Sequence, residues 1–483
     1  MNAKPELKRA LGLTTAILLV ISGMIGSGIF KKIAPMSTVL GDSNLILLAW
    51  VLAGVISMFG VFSYAGLATL TEEGGGQFEY FRIIYGKFFA FLFGWACFTV
   101  IQTASIASIA YVFSESVNNL VGFGNPTERW KDFQVGGFLF PFANSGVKIF
   151  TIITILILTA INYFGVKKGG VLNDIFSAAK IAGIVILIIA GFILNGDQTV
   201  DLPIPTVAVS KPEGWLLLSA MFTAMLSAFW AYDGWVNLSY IGGEIKNPKK
   251  NIPIAIIGGV AVVMFLYVLL NITYLHALPV ETYATIDAAG NKIAGAEMAQ
   301  SIMGNAGYIL ISVLIMLCTF GATNASLMSS PRIYHQMAKK NLFFKSFGEI
   351  HPKYHVPHKS LIYQAVWASI LVISGTFDQL TDMLIFASFI AYGSGAAGLI
   401  YMKMKYKKQE AGELDAGLIN SDQKSISKKV FGYPYFPAIF VLFCLGLIIN
   451  TLITMPRESI TGLVFIALGI PVYFWVKRRR RSE

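Results

Sequence analysis

The sequence predicts an all-helical protein that spans a membrane twelve times. Three observations carry this reading: apolar runs of spanning length recur from end to end, charge is scarce and sits between the runs, and two runs are interrupted by glycine. Hydrophobic residues fill 55% of the 483 positions and charged residues 13%, with a mean hydropathy of +0.66. These proportions exclude an ordinary water-soluble domain and an unstructured chain.

About 20 apolar helical residues cross roughly 30 Å of hydrocarbon. Runs of that kind are placed at 11–35, 44–70, 88–121, 147–165, 172–195, 215–243, 252–277, 297–330, 360–377, 381–402, 435–455 and 459–476. The first is too long and too interrupted for a cleaved leader and is not followed by a small-residue cleavage pattern, so it is expected to remain as the first helix. The net charge is +11, and with the N-terminus inside most of the 37 lysines and arginines fall on the inner side. The main contributors are Lys403, Lys405, Lys407, Lys408, Lys424, Lys428 and Lys429 in one loop, and Lys477 with Arg478 to Arg481. That bias places both termini in the cytoplasm and the chain in the cell membrane. Its expected contact is anionic lipid, not nucleic acid.

Cys97, Cys318 and Cys444 all fall inside spans, which suggests neither a disulfide framework nor a metal site. His335, His351, His355 and His358 share a lysine-rich inner loop with no zinc spacing and read as solvated. No nucleophile and base pair, metal cluster or phosphate loop is present, so no enzyme activity and no cofactor is expected.

Residues 1–483 read as one transmembrane unit whose long polar stretches are 122–146, 331–358 and 403–434; the second, with Ile333, Met337 and Phe347, is expected to hold a short interfacial helix. Division after the fifth span yields two comparable halves, 11–195 (helices 1–5) and 215–402 (helices 6–10), followed by helices 11 and 12 at 435–476. Each half opens with an interrupted span and has an unusually long third span. Five is odd, so the second half enters from the opposite side, as in a 5+5 inverted repeat that sets both breaks side by side near the bilayer midplane.

The breaks are Gly23-Met24-Ile25-Gly26-Ser27-Gly28-Ile29-Phe30 and Tyr232-Asp233-Gly234-Trp235. Irregular backbone is tolerated at membrane depth only where it is buried in protein or lines a cavity. Past Gly26 a helix begins anew, so amides near Ser27, Gly28 and Ile29 offer the positive end of a half-helix to a carboxylate. Carbonyls at Ile21 to Met24 and at Ala228 to Tyr232 suit an ammonium group. A zwitterion matches both; glycine serving only close helix packing is the competing reading.

Trp230, one turn before the second glycine, is the candidate lid. Asp233 binds freed amides, contacts a substrate amine or takes part in proton coupling. Lys180 in the fifth span needs oxygen partners from the first break and from hydroxyls or amides of helix eight, or it snorkels to the inner surface. Glu115 marks a proton route or, preferably, the outer polar rim.

Together these residues resemble the amino acid/polyamine/organocation superfamily and, within it, the L-type amino acid transporter family, over most of the twelve spans. Gly26-Ser27-Gly28-Ile29-Phe30 matches the first-helix motif whose backbone amides bind a substrate carboxylate, with Met24 at the turn that helps hold the amino group. Phe229 to Trp235 is similar to the sixth-helix break, with Trp230 at the aromatic gate and Asp233 at a backbone contact to the amino group; Gly234 is a further candidate for substrate binding. Asp174 to Lys180 is similar to the fifth-helix segment in which the lysine replaces a sodium ion. Phe320-Gly321-Ala322-Thr323-Asn324-Ala325-Ser326 resembles the eighth-helix pattern and places Asn324 near the lysine and the pocket.

The resemblance implies a leucine-transporter-like fold and sodium-independent exchange of small or medium neutral amino acids by alternating access. Residues 122–146 lack the cysteine that joins animal members to a heavy chain, so no disulfide-linked heavy chain is expected, and Val236 stands where some members have asparagine. A proton-coupled carrier of cationic amino acids or polyamines is the alternative, and an amino-acid-sensing receptor or a channel is the reading from a different class.

Overall fold

The computed structural model describes residues 9, 11–135, 140–165, 167–194, 206–290, 292–375, 377–410 and 430–479, except the side chains of 167–175 and 410. Lys424, Lys428, Lys429, Arg480, Arg481 and the side chain of Asp174 therefore lie outside the described residues. No strand occurs among the described residues, although one bridge joins Leu11 to Ile245. Eleven helical stretches are long and apolar enough to cross a membrane.

The first stretch is α1 (Leu13–Met24) and α2 (Gly28–Lys31), extended by α3 (Ile33–Leu40). Asp42 then caps α4 (Ser43–Leu67), its Oδ1 accepting from the Leu45 amide at 3.0 Å, a contact that stabilises a helix start by about 1 kcal/mol. After the short α5 (Gln77–Ile84), α6 (Lys87–Ala96) and α7 (Gln102–Val121) form one stretch through a wide turn at Cys97–Ile101. Next come α8 (Ser145–Tyr163) and α9 (Lys167–Ile193).

The second interrupted stretch is α10 (Gly214–Tyr232) and α11 (Asn237–Tyr240). It leads to α12 (Pro248–Ala277), α13 (Val280–Ala289) and α14 (Ala294–Ser329), which kinks at Gly304. After these come α15 (Pro331–Lys339), α16 (His358–Ser374), α17 (Phe377–Glu410), α18 (Tyr435–Thr454), α19 (Pro456–Ala467) and α20 (Gly469–Arg479). The ninth expected run corresponds to α16, whose 17 residues make it shorter than each of the eleven.

Three details differ from expectation. The helix foreseen in 331–358 exists as α15, but it is buried: Ile333, Tyr334 and Met337 are enclosed, and the Tyr334 hydroxyl donates to the Cys97 carbonyl at 3.2 Å. The Cys97 carbonyl, which also accepts the Gln102 amide that closes the wide turn, thus helps dock α15 on protein instead of on lipid. His335, His351 and His358 are correspondingly half-buried, and only His355 is exposed. The helices α5 and α13 have no counterpart among the expected runs because eight and ten residues are too few for a spanning signal.

Side chains such as Ile157, Ile186, Phe265, Leu442 and Ile449 are exposed on the outside of the bundle, a surface stable against hydrocarbon and not against water. Inside, α14 packs along α7 and α9, and α12 along α1 and α4. The two interrupted stretches meet backbone to backbone. A Cβ on Gly28 would stand 2.6 Å from the Ala231 Cα, and Gly234, at φ +102°, would carry one 2.6 Å from the Gly23 carbonyl oxygen. Only glycine permits both approaches.

Gly28→Val is therefore expected to cost about 1–3 kcal/mol of stability through overpacking against backbone. Gly258→Ala, at a helical position with nothing within 4 Å of the added carbon, is expected to be neutral or stabilising. Thermal melting of the purified protein in detergent compares them, and equal midpoints would refute this account of the contact.

Candidate functional site

The site grows from the accounting of backbone groups that the two breaks release. On the carbonyl side of the first break, Ile21 accepts from the Ile25 amide at 2.9 Å and Met24 from the Tyr267 hydroxyl at 2.9 Å. Lys180 Nζ donates to the Ser22 and Ile25 carbonyls, each at 3.0 Å, and contacts Ser22 Oγ at 3.3 Å. Lys180 is fully buried, so it braces the break and does not snorkel. On the amide side, Gly26, Ser27, Gly28 and Ile29 find no acceptor among the described residues, because α2 starts there and its first bonds run from Phe30 and Lys31 back to the Ser27 carbonyl at 3.2 Å. Four successive amides without a partner are the kind of backbone concavity that suits an anion.

At the second break α10 stops at Tyr232, and Asp233 is extended at ψ 164°. The carbonyls of Trp230, Ala231 and Tyr232 accept no hydrogen bond among the described residues. A narrow cavity of about 20 Å³ lies between the breaks, lined by both backbones with Trp230, Asp233, Ser105, Ile109, Asn237 and Ser326. Two buried polar atoms on its walls, Ser27 Oγ and Trp230 Nε1, have no partner among the described residues.

The structure thus brings Met24, Gly26, Ser27, Gly28, Trp230, Asp233 and Gly234 around one space. Ile29 contributes its amide from just behind that lining, and its side chain is fully buried. Two expectations for helix eight need correction. No hydroxyl or amide of α14 bonds Lys180: Gly321 faces it, while Thr319 and Thr323 return their hydroxyls to Ile315 and Thr319 carbonyls at 2.7 and 2.8 Å. Asn324 turns to α8, where its Oδ1 accepts from Asn162 at 2.7 Å, and Ser326 takes its place on the cavity. Asp233 accepts from the Tyr392 hydroxyl of α17 and from the Gly234 amide.

Ser105, Ile109, Asn237 and Ser326 were not among the residues singled out by sequence. Ser105 and Ile109 face inward beyond the wide turn, which is held open because Thr99 and Cys97 carbonyls accept from Trp367 Nε1 at 2.9 Å and from Tyr334. Gln102, an amide within an apolar run, donates to Asn237 Oδ1 at 3.3 Å and was the available signal.

Charged contacts close both ends. At the end reached by α2, Lys31 pairs with Glu115 at 2.7 Å and Lys32 with Asp378 at 2.8 Å. Both ammonium groups lie over the Phe377 ring, at 4.4 and 4.9 Å, and that ring meets Trp230 edge to face at 6.1 Å. Glu115 therefore belongs to a polar closure that its own helix did not reveal. At the N-terminal end the Leu11 amide donates to the Glu244 carbonyl at 3.0 Å, the Lys246 amide donates to the Leu11 carbonyl at 2.9 Å, and Arg332 pairs with Glu244 at 3.1 Å. Nearby, burial would raise the Glu73 carboxyl, but Lys340 at 2.7 Å and Gln336 bring it below its ordinary value.

The model of the family described as Amino acid permease matches residues 11–476. The chain is 28% identical over 478 residues to the Serine/threonine exchanger SteT of Bacillus subtilis (strain 168), covering 99% of this chain and 98% of that one. It is 27% identical to the human b(0,+)-type amino acid transporter 1, covering 97% of this chain and 88% of the relative. It is 28% identical to the mouse Large neutral amino acids transporter small subunit 2, covering 97% and 80%. With a family match that runs across nearly the whole chain, the protein belongs to the amino acid permease family of the amino acid/polyamine/organocation superfamily.

Proposed function

We propose that this protein is a sodium-independent exchanger of small or medium neutral L-amino acids that works by alternating access. The observation that carries the reading is the pair of unsatisfied backbone sets, amides at Gly26 to Ile29 and carbonyls at Trp230 to Tyr232, at two breaks whose residues Gly26, Ser27, Gly28, Trp230, Asp233 and Gly234 line one small cavity. The amides hold the α-carboxylate, the second-break carbonyls hold the α-ammonium, and Met24, Asp233 and Gly234 complete that end. Ser105, Ile109, Asn237 and Ser326 surround the side chain, and their small polar and branched surfaces favour a compact neutral one. Names borne by relatives, above all the Serine/threonine exchanger, support the same substrate class and exchange.

Lys180 stands between Ser22 and Ile25 carbonyls where a metal cation would otherwise join the first break to the fifth span. A fixed positive charge there removes the need for sodium. Asp233 is already bound by Tyr392, which weighs against a second cation on the substrate. Trp230 acts as the lid, and Lys180 with Asn324 on its neighbouring helix couples the first break to the surrounding scaffold.

In this reading α16 is the ninth of twelve spans and α19 with α20 the twelfth. Residues 11–195 and 215–402 form the inverted repeats, 435–476 the added pair, and both termini are cytoplasmic in the cell membrane. Two short helices support the repeat: α5 follows the second span and packs near α11, and α13 follows the seventh and packs on α3. The protein acts without a disulfide-linked heavy chain.

Counterflow in liposomes loaded with serine is expected to accumulate labelled small neutral amino acids equally with and without sodium. Lys180→Ala is expected to lower that rate at least about tenfold, since each carbonyl left unpaired costs roughly 1–3 kcal/mol. Sodium-dependent uptake that survives Lys180→Ala would overturn the proposal.

The charged closure beside α2 has its own test. In the Ser105→Cys protein, adding Glu115→Gln is expected to speed alkylation by a membrane-impermeant reagent from the α2 end about fivefold, for a pair worth about 1 kcal/mol. An unchanged rate would remove Lys31–Glu115 from the gate.

A further inference from the structure

Two side-chain amides meet beside the central cavity. The wide turn at Cys97–Ile101 ends at Gln102, whose backbone amide donates to the Cys97 carbonyl. From there α7 runs as a regular helix, so Gln102, Ser105 and Ile109, spaced at i, i+3 and i+7, share one face. That face meets the start of α11, where Gln102 Nε2 donates to Asn237 Oδ1 at 3.3 Å.

As packing alone, the contact is a poor one. Gln102 is buried and its Oε1 has no partner among the described residues, an arrangement less stable than an apolar side chain in the same place. What the contact does is orient Asn237. With Oδ1 taken, Asn237 keeps Nδ2 as its remaining polar edge, and it stands on the cavity wall with Ser105 and Ser326. The hydroxyls of Ser105 and Ser326 make no hydrogen bond among the described residues. The lining holds no lysine, arginine or histidine, and its one acid, Asp233, is already bound by Tyr392 and the Gly234 amide. An apolar side chain placed here would leave an amide donor and two hydroxyls without a partner, and a charged one would meet no free counter-ion. A hydroxyl, donor and acceptor on one atom, matches them.

We propose that Asn237, held in orientation by Gln102, is the residue by which this site selects an amino acid with a side-chain hydroxyl over an apolar one of the same size. Asn237 contacts the substrate, and Gln102 is a positioning residue. The assignment rests on the exchange reading, because it takes the central cavity as the substrate site.

Threonine and valine are nearly equal in size and differ by a hydroxyl in place of a methyl group, so their competition with labelled serine for counterflow in serine-loaded liposomes isolates the contact. With the full-length wild-type protein, threonine is expected to compete about fivefold more strongly than valine, the effect of one hydrogen bond. Asn237→Leu is expected to bring that ratio to about one, and Gln102→Leu to about two, because the amide is no longer held. A purely structural role for either residue would weaken both competitors alike and leave the ratio at its wild-type value, which would overturn the proposal. Equal competition by threonine and valine in the wild type, a comparison that needs no variant to fold, would also overturn it, as would stronger competition by asparagine than by threonine, which would assign the wall to a carboxamide. Counterflow without a preference for threonine overturns this assignment alone, whereas counterflow of no neutral amino acid overturns the exchange reading with it.

Discussion

A peptide group inside a bilayer has no water to turn to, so every amide and carbonyl that leaves a helix must find a partner in the protein or remain as a binding surface. The architecture around the two interrupted helices follows from that constraint. Lys180 takes two carbonyls of the first break, Tyr267 takes a third, and the α1 terminus takes a fourth through Ile25. The α2 amides and the last α10 carbonyls are left over, at breaks that border one cavity. In the proposed reading, partial satisfaction is what lets the site bind: fully paired, the breaks would be inert, and wholly unpaired, they would cost several kcal/mol per group.

The same contacts tie the site to its closures. Lys31 and Lys32 end α2, directly after the four free amides, and they reach Glu115 and Asp378 on other helices. Beyond the second break α11 ends at Tyr240, whose hydroxyl donates to Gln77 of α5, and the chain then reaches Glu244 and its Arg332 partner. Because Gly28 touches Ala231 and Gly234 touches Gly23, a shift of either half-helix at the cavity must be accommodated by the other. Local occupancy at the backbone is thereby linked to charged pairs at both ends by short, continuous covalent paths.

Much of this was legible in the linear chain, for different reasons. Hydrophobic length marks a span whatever its neighbours are, so the boundaries of α4, α6 with α7, and α12 lie within a few residues of the expected runs. Glycine clusters in apolar runs mark breaks because no packing partner is needed to recognise them. Lys180 stood out since a lone ammonium in such a run requires oxygen partners, yet their identity depended on which face of α14 turned toward it. Gly321 does so, which leaves Asn324 to Asn162. The cavity positions Ser105 and Ile109 were obscured because the wide turn at Cys97–Ile101 shifts the helical phase, and small side chains in an apolar helix resemble ordinary packing.

The sequence by itself therefore determined the class of protein, the places where its helices fail and the charge chemistry those failures offer, since these depend on composition and on backbone freedom within a few residues. Tertiary structure alone decided which freed groups are taken and which remain open. Lys31 and Glu115 are 84 positions apart and Lys32 and Asp378 are 346 apart; no local pattern relates such residues. Only the packed bundle, with Gly28 against Ala231 and Lys180 against Ser22 and Ile25, turns two local interruptions into one enclosed site.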